Sequence, residues 1–349
     1  MNIAIIAITP GGAALARRLD GSLPGAEVHL PERFRQDDRC RYFREPLAEV
    51  LPRLFAEGRP LVCVMAAGIA VRLLAPHLQG KSVDPAVVVM DERGAFAVSL
   101  LSGHLGGANA LARQLAALSG GQAVVTTATD VNGLPAWDEV ARQEGMTIEP
   151  LAAIRTLNRL LLEGGKILLA DEGGLLGDRY EGVAGVRRIA TVEEALRGDA
   201  EGKVLVTHHL RSEGEGADNV LFLRPRNLAV GIGCNRGTSA EEIEKTVFSE
   251  LERAGLSPRS IACLATVEAK RDEAGLLRFA EAHGLPLAFY SAEELNRVEA
   301  PSADSPHALA AVGARGVSEP AAILASGGGP FLLPKVKRGN VTVAVAERP

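Results

Sequence analysis

Aromatic residues are scarce in this chain, 4% of 349 positions with a single tryptophan, so few flat side chains remain on which bases could stack. Basic residues are not in excess either: 38 Lys and Arg stand against 43 Asp and Glu, a net charge of −5. Both shortages argue against a nucleic-acid partner. Cysteine is sparse and scattered. Cys40, Cys63, Cys234 and Cys263 form neither a CxxC pair nor a disulfide framework, which fits a reducing compartment and leads us to expect a cytoplasmic protein. No apolar run approaches the ~20 residues of a spanning helix, so no membrane partner is expected. Met1-Asn-Ile-Ala-Ile-Ile lacks the basic start and long apolar core of a signal peptide and reads as a first strand. A Walker A loop and a GxSxG elbow are both missing, against a nucleotide triphosphatase and a nucleophile-elbow hydrolase.

What is present is Ala, Leu, Val and Gly in an overall 47% hydrophobic chain, long enough for two or three cores. Short apolar runs alternate with helical periods, which predicts an α/β fold: several domains with open, mostly parallel sheets flanked by helices, the last ending in a β-hairpin. The expected division is residues 1–146, a small middle unit over 147–222, and a C-terminal domain over 223–349. Strands are expected at Asn2–Thr9, Glu27–Leu30, Leu61–Met65, Gln122–Thr126, Lys166–Ala170, Lys203–Thr207, Leu228–Ile232, Ile261–Thr266 and Leu287–Tyr290. Phe331–Lys337 and Val341–Ala346 read as the hairpin, about Arg338-Gly339-Asn340. Glu32–Arg44, the entry Lys81–Pro85, the stretch Arg211–Asp218 and Pro301–His307 read as polar loops or linkers. His208-His209 lacks a third ligand nearby in sequence, so no metal site is expected there.

The chain turns on Ser99-Leu-Leu-Ser102-Gly103-His104-Leu-Gly106-Gly107-Ala-Asn109. Two strand-like runs, Pro85–Asp91 and Ala95–Leu101, lead into it through Glu92-Arg93-Gly94, and Leu105 to Leu118 leave it with a helical period. A glycine-rich corner at a helix start offers backbone N–H groups to an anion, and His104 offers a proton-transfer group. The alternative is a tight turn whose histidine merely caps or packs.

Other corners carry similar choices. In Gly68-Ile-Ala-Val-Arg72, the arginine is either solvated or a carboxylate anchor. Thr127, Asp130 and Asn132 follow a strand, either at a ligand edge or in an Asx turn. Gly231-Ile-Gly233-Cys-Asn-Arg236-Gly237 has its third glycine one residue late for a dinucleotide fingerprint, and Glu268 lies about thirty residues on rather than about twenty. A plain strand–helix turn and a carboxylate-binding loop stand beside that reading. Thr238 and Ser239, each with a glutamate three residues on, mark a helix start.

Taken in order, Gly68–Arg72, Asp84-Pro-Ala-Val-Val-Val, Ser99–Asn109, Thr126-Thr-Ala-Thr-Asp-Val-Asn132, Gly231–Thr238, Thr266-Val-Glu-Ala-Lys270 and Val317-Ser-Glu-Pro resemble the cobalt-precorrin-5A hydrolases, the CbiG proteins of anaerobic cobalamin synthesis. Asn235 departs from the basic residue expected there. The resemblance implies hydrolysis of a δ-lactone on a cobalt-bearing, ring-contracted tetrapyrrole, with loss of acetaldehyde. It implies no cofactor of the protein's own, since the substrate carries the cobalt, and contact with neighbouring pathway enzymes. Lactone opening needs a base and an oxyanion site. We assign His104 as the base, and Asn109 with the Gly106 and Gly107 amides to the oxyanion or a ring carboxylate. Gly68, Ser102, Gly103, Thr127, Asp130, Asn132, Gly233, Glu268 and Ser326 are further candidates for substrate contact. Arg72, Arg236, Lys270 and Lys335 are candidates to meet its acetates and propionates. The rival function is a non-catalytic protein that binds or passes on a corrinoid intermediate; a nicotinamide-dependent enzyme is the weaker third.

Overall fold

The computed structural model describes residues 2–80, 83–211 and 216–348, so Lys81 and Ser82 of the expected entry loop and residues 212–215 of the expected linker lie outside it. The chain divides into two compact units. One takes the chain up to Gln143 together with Leu157–Gly165 and Asp178–Gly185, and the other takes Glu144–Thr156, Lys166–Gly177 and the chain from Val186 on.

The first unit holds a seven-stranded sheet of β1 (Ala4–Ala7), β2 (Glu27–Pro31), β3 (Arg41–Phe43), β4 (Leu61–Val64), β5 (Val87–Met90), β6 (Phe96–Leu101) and β7 (Gln122–Val124), in the order β3-β2-β1-β4-β5-β6-β7. Its helices are α1 (Pro10–Asp20), α2 (Leu47–Ala56), α3 (Ala67–Leu74), α4 (Ala108–Ser119), α5 (Ala128–Val131) and α6 (Trp137–Gln143), and α7 (Ala153–Glu163) ends in it. β1, β4 and β5 are buried at every residue, as apolar central strands covered on both faces must be. Alternation along each strand sends Ile5, Val62 and Val88 to one face, against α1 and α4. It sends Ile6, Cys63 and Val87 to the other, against α2 and α3.

One strand pair decides where the site lies. Every neighbouring pair in this sheet is parallel except β5 and β6, which form the expected hairpin. Gly94, at φ 72°, closes the turn, and the Asp91 carboxylate accepts the N–H groups of Arg93 and Phe96 at 2.9 and 2.7 Å. β6 and β7 therefore end at the sheet edge where β1, β4 and β5 begin.

The second unit has two five-stranded sheets. β8 (Thr147–Glu149), β9 (Ile167–Asp171), β10 (Val186–Ile189), β11 (Gly202–Val206) and β12 (Val220–Arg224) order as β10-β9-β11-β12-β8, with only β8 antiparallel. α8 (Val192–Arg197) covers one face, capped by Thr191, whose hydroxyl accepts the Glu194 N–H. The other sheet comprises β13 (Leu228–Cys234), β14 (Ile261–Val267), β15 (Leu287–Tyr290), β16 (Phe331–Arg338) and β17 (Val341–Glu347), ordered β15-β14-β13-β17-β16. β16 and β17 pair as the expected C-terminal hairpin. α9 (Ala240–Arg253) and α10 (Ala274–Ala282) pack Ile243, Val247, Leu276 and Phe279 on one face. α11 (Ala292–Asn296), α12 (Pro306–Val312) and α13 (Ser318–Ser326) complete the unit. Ser239 caps α9 and Ser291 closes a full capping box with Glu294.

Two expected loops contain regular structure. Within Glu32–Arg44, Arg41–Phe43 pairs with β2 as an edge strand that buries Phe43, too short and charged to show an alternation of its own. The end of Pro301–His307 starts α12, with Ser305 as N-cap and Pro306 in the first turn.

A close backbone approach predicts one stability effect. A Cβ at Gly231 would lie 1.8 Å from the Ser318 carbonyl oxygen, where α13 crosses β13. Gly231→Ala is expected to destabilise by at least the ~1–3 kcal/mol of overpacking, read as a lower midpoint in denaturant unfolding. An unchanged midpoint would show that α13 is free to shift.

Candidate functional site

β6 ends at Leu101 and the chain turns at once. Ser102 takes φ 56°, in the left-handed region that costs a side chain roughly 1–2 kcal/mol, and its hydroxyl donates to the Asp84 carbonyl at 2.8 Å. The Asp84 carboxylate in turn accepts the Gln79 and Gly80 N–H groups, both at 3.0 Å. The glycines answer a close approach: a Cβ at Gly103 would sit 2.6 Å from Asn109 Oδ1, and one at Gly106 2.5 Å from Ser102 Cβ. Gly107, at φ 86°, leads into α4.

The helix-start amides are already in use. The N–H groups of Gly107, Ala108 and Asn109 donate to the carbonyls of His104, Ser102 and Gly103 at 2.9, 3.1 and 3.0 Å. In this conformation the Gly107 amide is not free for an oxyanion. Asn109 is likewise engaged at both ends. Its Oδ1 accepts the Ser99 hydroxyl at 2.7 Å, while Nδ2 donates to Thr127 Oγ1 at 3.1 Å and Asp130 Oδ2 at 2.9 Å. Asn109 therefore holds a carboxylate of the protein itself.

That carboxylate faces His104. Nε2 of His104 donates to Asp130 Oδ2 at 2.8 Å, with Thr129 Oγ1 at 3.2 Å, and Nδ1 lies 3.2 Å from Asp138 Oδ1. The three side chains are only 10%, 13% and 8% exposed. Burial opposes charge on the imidazole, but hydrogen bonds and charge from Asp138 and Asp130 outweigh it and hold the pKa above the usual 6.5. For Asp130, burial is overcome by Arg113 and His104, both hydrogen-bonded to it, and its pKa lies below the usual value. For Asp138, burial is overcome by His104 and then by Asn158, whose amide donates to it at 2.8 Å. With Arg113, two cations balance two carboxylates, the condition under which buried charge is tolerated. A histidine flanked by carboxylates on both nitrogens has a fixed ring and a strengthened base.

Asp138, Asn158 and Arg113 were not among the residues singled out from sequence. The signal for Asp138 was slight: an acid beside the lone tryptophan, in the first turn of α6. Trp137 is fully buried and stacks on Tyr180, ring centroids 4.0 Å apart, and its backbone N–H donates to Asn158 Oδ1 at 3.0 Å.

Gly68 and Arg72 are not brought to His104. They follow β4, which ends at the sheet edge opposite the end of β6, and Arg72 folds back so that Nη1 donates to the Gly68 carbonyl at 3.1 Å. Asn132 is exposed and donates to the Ala128 carbonyl at 2.8 Å, closing α5.

In the second unit, Gly233, Arg236, Lys270 and Lys335 line one cavity. Glu268 and Ser326 are not in its lining. Glu268 pairs with Arg271 at 3.2 Å, and Ser326 ends α13, donating to the Ile323 carbonyl at 2.9 Å. The start of α9 is occupied by the chain's own groups: Gly237 N–H donates to Glu273 Oε1 at 2.8 Å, Ser239 caps, and Glu241 and Glu242 stand in the first turn. Among the described residues no cluster of His, Cys, Asp and Glu could hold a metal ion, and no helix is long and apolar enough to cross a membrane.

Three family models match the chain in succession: Cobalamin synthesis G N-terminal over residues 49–130, Cobalamin biosynthesis central region over 135–225, and Cobalamin synthesis G C-terminus over 228–346. The chain is 36% identical to the cobalt-precorrin-5A hydrolase of Priestia megaterium, covering 99% of this chain and 94% of that one. It is also 36% identical to the enzyme of the same name from Salmonella typhimurium, covering 94% and 92%. Protein CobE of a Sinorhizobium species is 33% identical over 34% of this chain and 79% of its own.

The cluster predicts its own titration. His104 titrates above the unfolded value near 6.5, so its share of stability is full below that pH and is lost as pH rises through the folded value. Asp130 and Asp138 titrate below the usual carboxylate value, so their share is present above that value and is lost as pH falls through their folded values. The cluster stabilises most between the two ranges. By NMR titration His104 should show a pKa above 6.5, lowered in Asp138→Asn. An identical titration in that variant would mean Asp138 does not act on the ring.

Proposed function

We propose that this chain, which belongs to the cobalt-precorrin-5A hydrolase family, opens the δ-lactone of cobalt-precorrin-5A with water and releases acetaldehyde to give cobalt-precorrin-5B. The substrate is a cobalt-corrinoid intermediate, and the cobalt enters as part of it. The observation that carries the site assignment is the buried imidazole of His104 between Asp130 and Asp138.

His104 acts as the base. A base works best with a pKa near the operating pH, and its two carboxylates move it upward from 6.5. The 2.8 Å contact with Asp130 belongs to a protonated Nε2. When the ring gives up that proton, Asp138 keeps the one on Nδ1 and the lone pair on Nε2 is open to water. A water entering between Nε2 and Asp130 then donates one O–H to each. That water attacks the lactone carbonyl, and the acyl–oxygen bond breaks to give a carboxylate and a hydroxyl group. The hydroxyl then loses its proton, its carbon–carbon bond breaks as acetaldehyde forms, and the bonding electrons pass into the macrocycle. Asn109 and Arg113 fix Asp130 and so set the acceptor geometry.

We propose as well that no nucleotide takes part. The carboxylates at the start of α9 repel a phosphate, and Glu273 occupies the Gly237 amide that would receive it.

Incubation with cobalt-precorrin-5A should yield acetaldehyde and the delactonised product by mass analysis. The rate is expected to rise with pH through the elevated pKa of His104. His104→Ala should lower turnover by ~10²–10⁴-fold while the corrinoid still binds. Near-normal turnover in that variant would remove His104 from the chemistry, and binding without acetaldehyde in the unaltered chain would favour a carrier.

Neither NAD(P) nor ATP should alter the melting temperature. A specific ligand at a hundredfold excess over Kd stabilises by about 2.7 kcal/mol, so a clear upward shift would reverse the nucleotide assignment.

A further inference from the structure

Asp138 and Arg142 stand four residues apart in α6, so both leave the same face of that short helix. Asp138 meets His104, its Oδ1 3.2 Å from Nδ1. Arg142 meets the glycine corner where it enters α4. A Cβ at Gly107 would lie 3.5 Å from its Cζ and Nη1 and 3.6 Å from its Nε, so the flat face of the guanidinium covers Gly107. Glu139 holds the fork from within the helix: Nε donates to Oε2 at 3.1 Å and Nη2 to Oε1 at 2.9 Å, while Gln143 Nε2 also donates to Oε1 at 2.9 Å. The Arg142 side chain is 25% exposed and that of Glu139 14%. Both N–H groups of Nη1 are left without an acceptor among the described residues.

The N–H groups of Gly107, Ala108 and Asn109 and the Asn109 side-chain amide are spent on the protein itself, whereas Nη1 of Arg142 is a cationic donor with capacity left at this corner. A guanidinium gripped along one edge by a carboxylate can take a second carboxylate across its open end, and one held beforehand loses little freedom in doing so. We propose that Arg142 is a substrate-anchoring residue: its open end takes a peripheral carboxylate of the corrinoid and so orients the lactone toward His104. The proposal rests on the reading that the substrate is a cobalt-corrinoid lactone, and deepens it by giving α6 two tasks on one face, the acid that faces the base and the cation that holds the ring. The plain alternative is an ion pair that only steadies α6, and the two differ in the part of Glu139. In a structural pair the two residues depend on each other, and losing either costs alike. In an anchor Arg142 binds, while Glu139 competes with the incoming carboxylate.

The test reads affinity and turnover separately. Calorimetric titration with cobalt-precorrin-5A is run on the full chain in the His104→Ala background, where the lactone persists, and KM and kcat are read with His104 in place. Arg142→Gln should weaken binding and raise KM by about tenfold or more, the loss expected when a charge-assisted contact is removed, with kcat kept within about twofold. Glu139→Gln should bind at least as tightly as its parent. Because Arg142→Gln strands the Glu139 carboxylate, Arg142→Gln with Glu139→Gln repeats the measurement without an unpaired buried charge, and an unchanged melting temperature checks that this double variant is folded. It should bind as weakly as Arg142→Gln. Undiminished affinity in the double variant, a loss as large in Glu139→Gln alone, or a fall in kcat with KM unchanged would overturn the proposal. Acetaldehyde release with undiminished binding in Arg142→Gln would remove the anchor and leave the hydrolase reading standing. Weakened binding in Arg142→Gln, with no acetaldehyde from the unaltered chain, would do the reverse.

Discussion

The site depends on charge balance out of water. An imidazolium and two carboxylates share a mostly buried volume where each would be costly alone, and the half-exposed guanidinium of Arg113 stands at its edge. Their mutual contacts fix the corner after β6, the short α5, the start of α6 and the Asn158 turn of α7 relative to one another. The chemistry follows from the same constraint. Carboxylates that make burial of His104 tolerable also raise its pKa, so the group that stabilises the first unit is also the one we propose as the base.

The sheet's single change of direction determines which parts of the chain take part in this cluster. Had β5 and β6 run parallel, the corners after β4 and β6 would lie at one edge, as ligand-binding loops of open α/β sheets do. The hairpin at Gly94 instead sends the His104 corner to the edge where the central strands begin. Its neighbour there is the Asp84 turn, tied through Ser102, while Gly68 and Arg72 stand at the other end.

The second unit handles charge differently. The first unit's cluster pairs each buried charge with an opposite one, whereas β16 carries two lysines that line a cavity without a carboxylate partner among the described residues. Paired and buried charges favour a rigid catalytic geometry; unpaired cations at a cavity favour an incoming anion. Glycine serves close approach in both units, at Gly103 beside Asn109 and at Gly231 beneath α13.

Several features follow from sequence alone because their causes are local. The apolar runs Leu61–Val64 and Leu228–Ile232, the caps at Thr191, Ser239 and Ser291, the turn at Gly94 and the glycine corner at His104 each depend on neighbours within a few residues. So does the C-terminal hairpin. The edge strand Arg41–Phe43 was hidden, since three charged and aromatic residues acquire strand character only by pairing with β2. Asn109 was legible as part of the corner, but its work was not, because Thr127 and Asp130 reach it only through the pairing of β6 with β7. Tertiary structure alone decided that Asp138 and Asn158 complete the histidine's surroundings, that Arg72 does not, and that Lys335 and Lys337 share a cavity with Arg236. Those outcomes turn on strand direction and on the desolvation of groups far apart in the chain, and no local pattern encodes either.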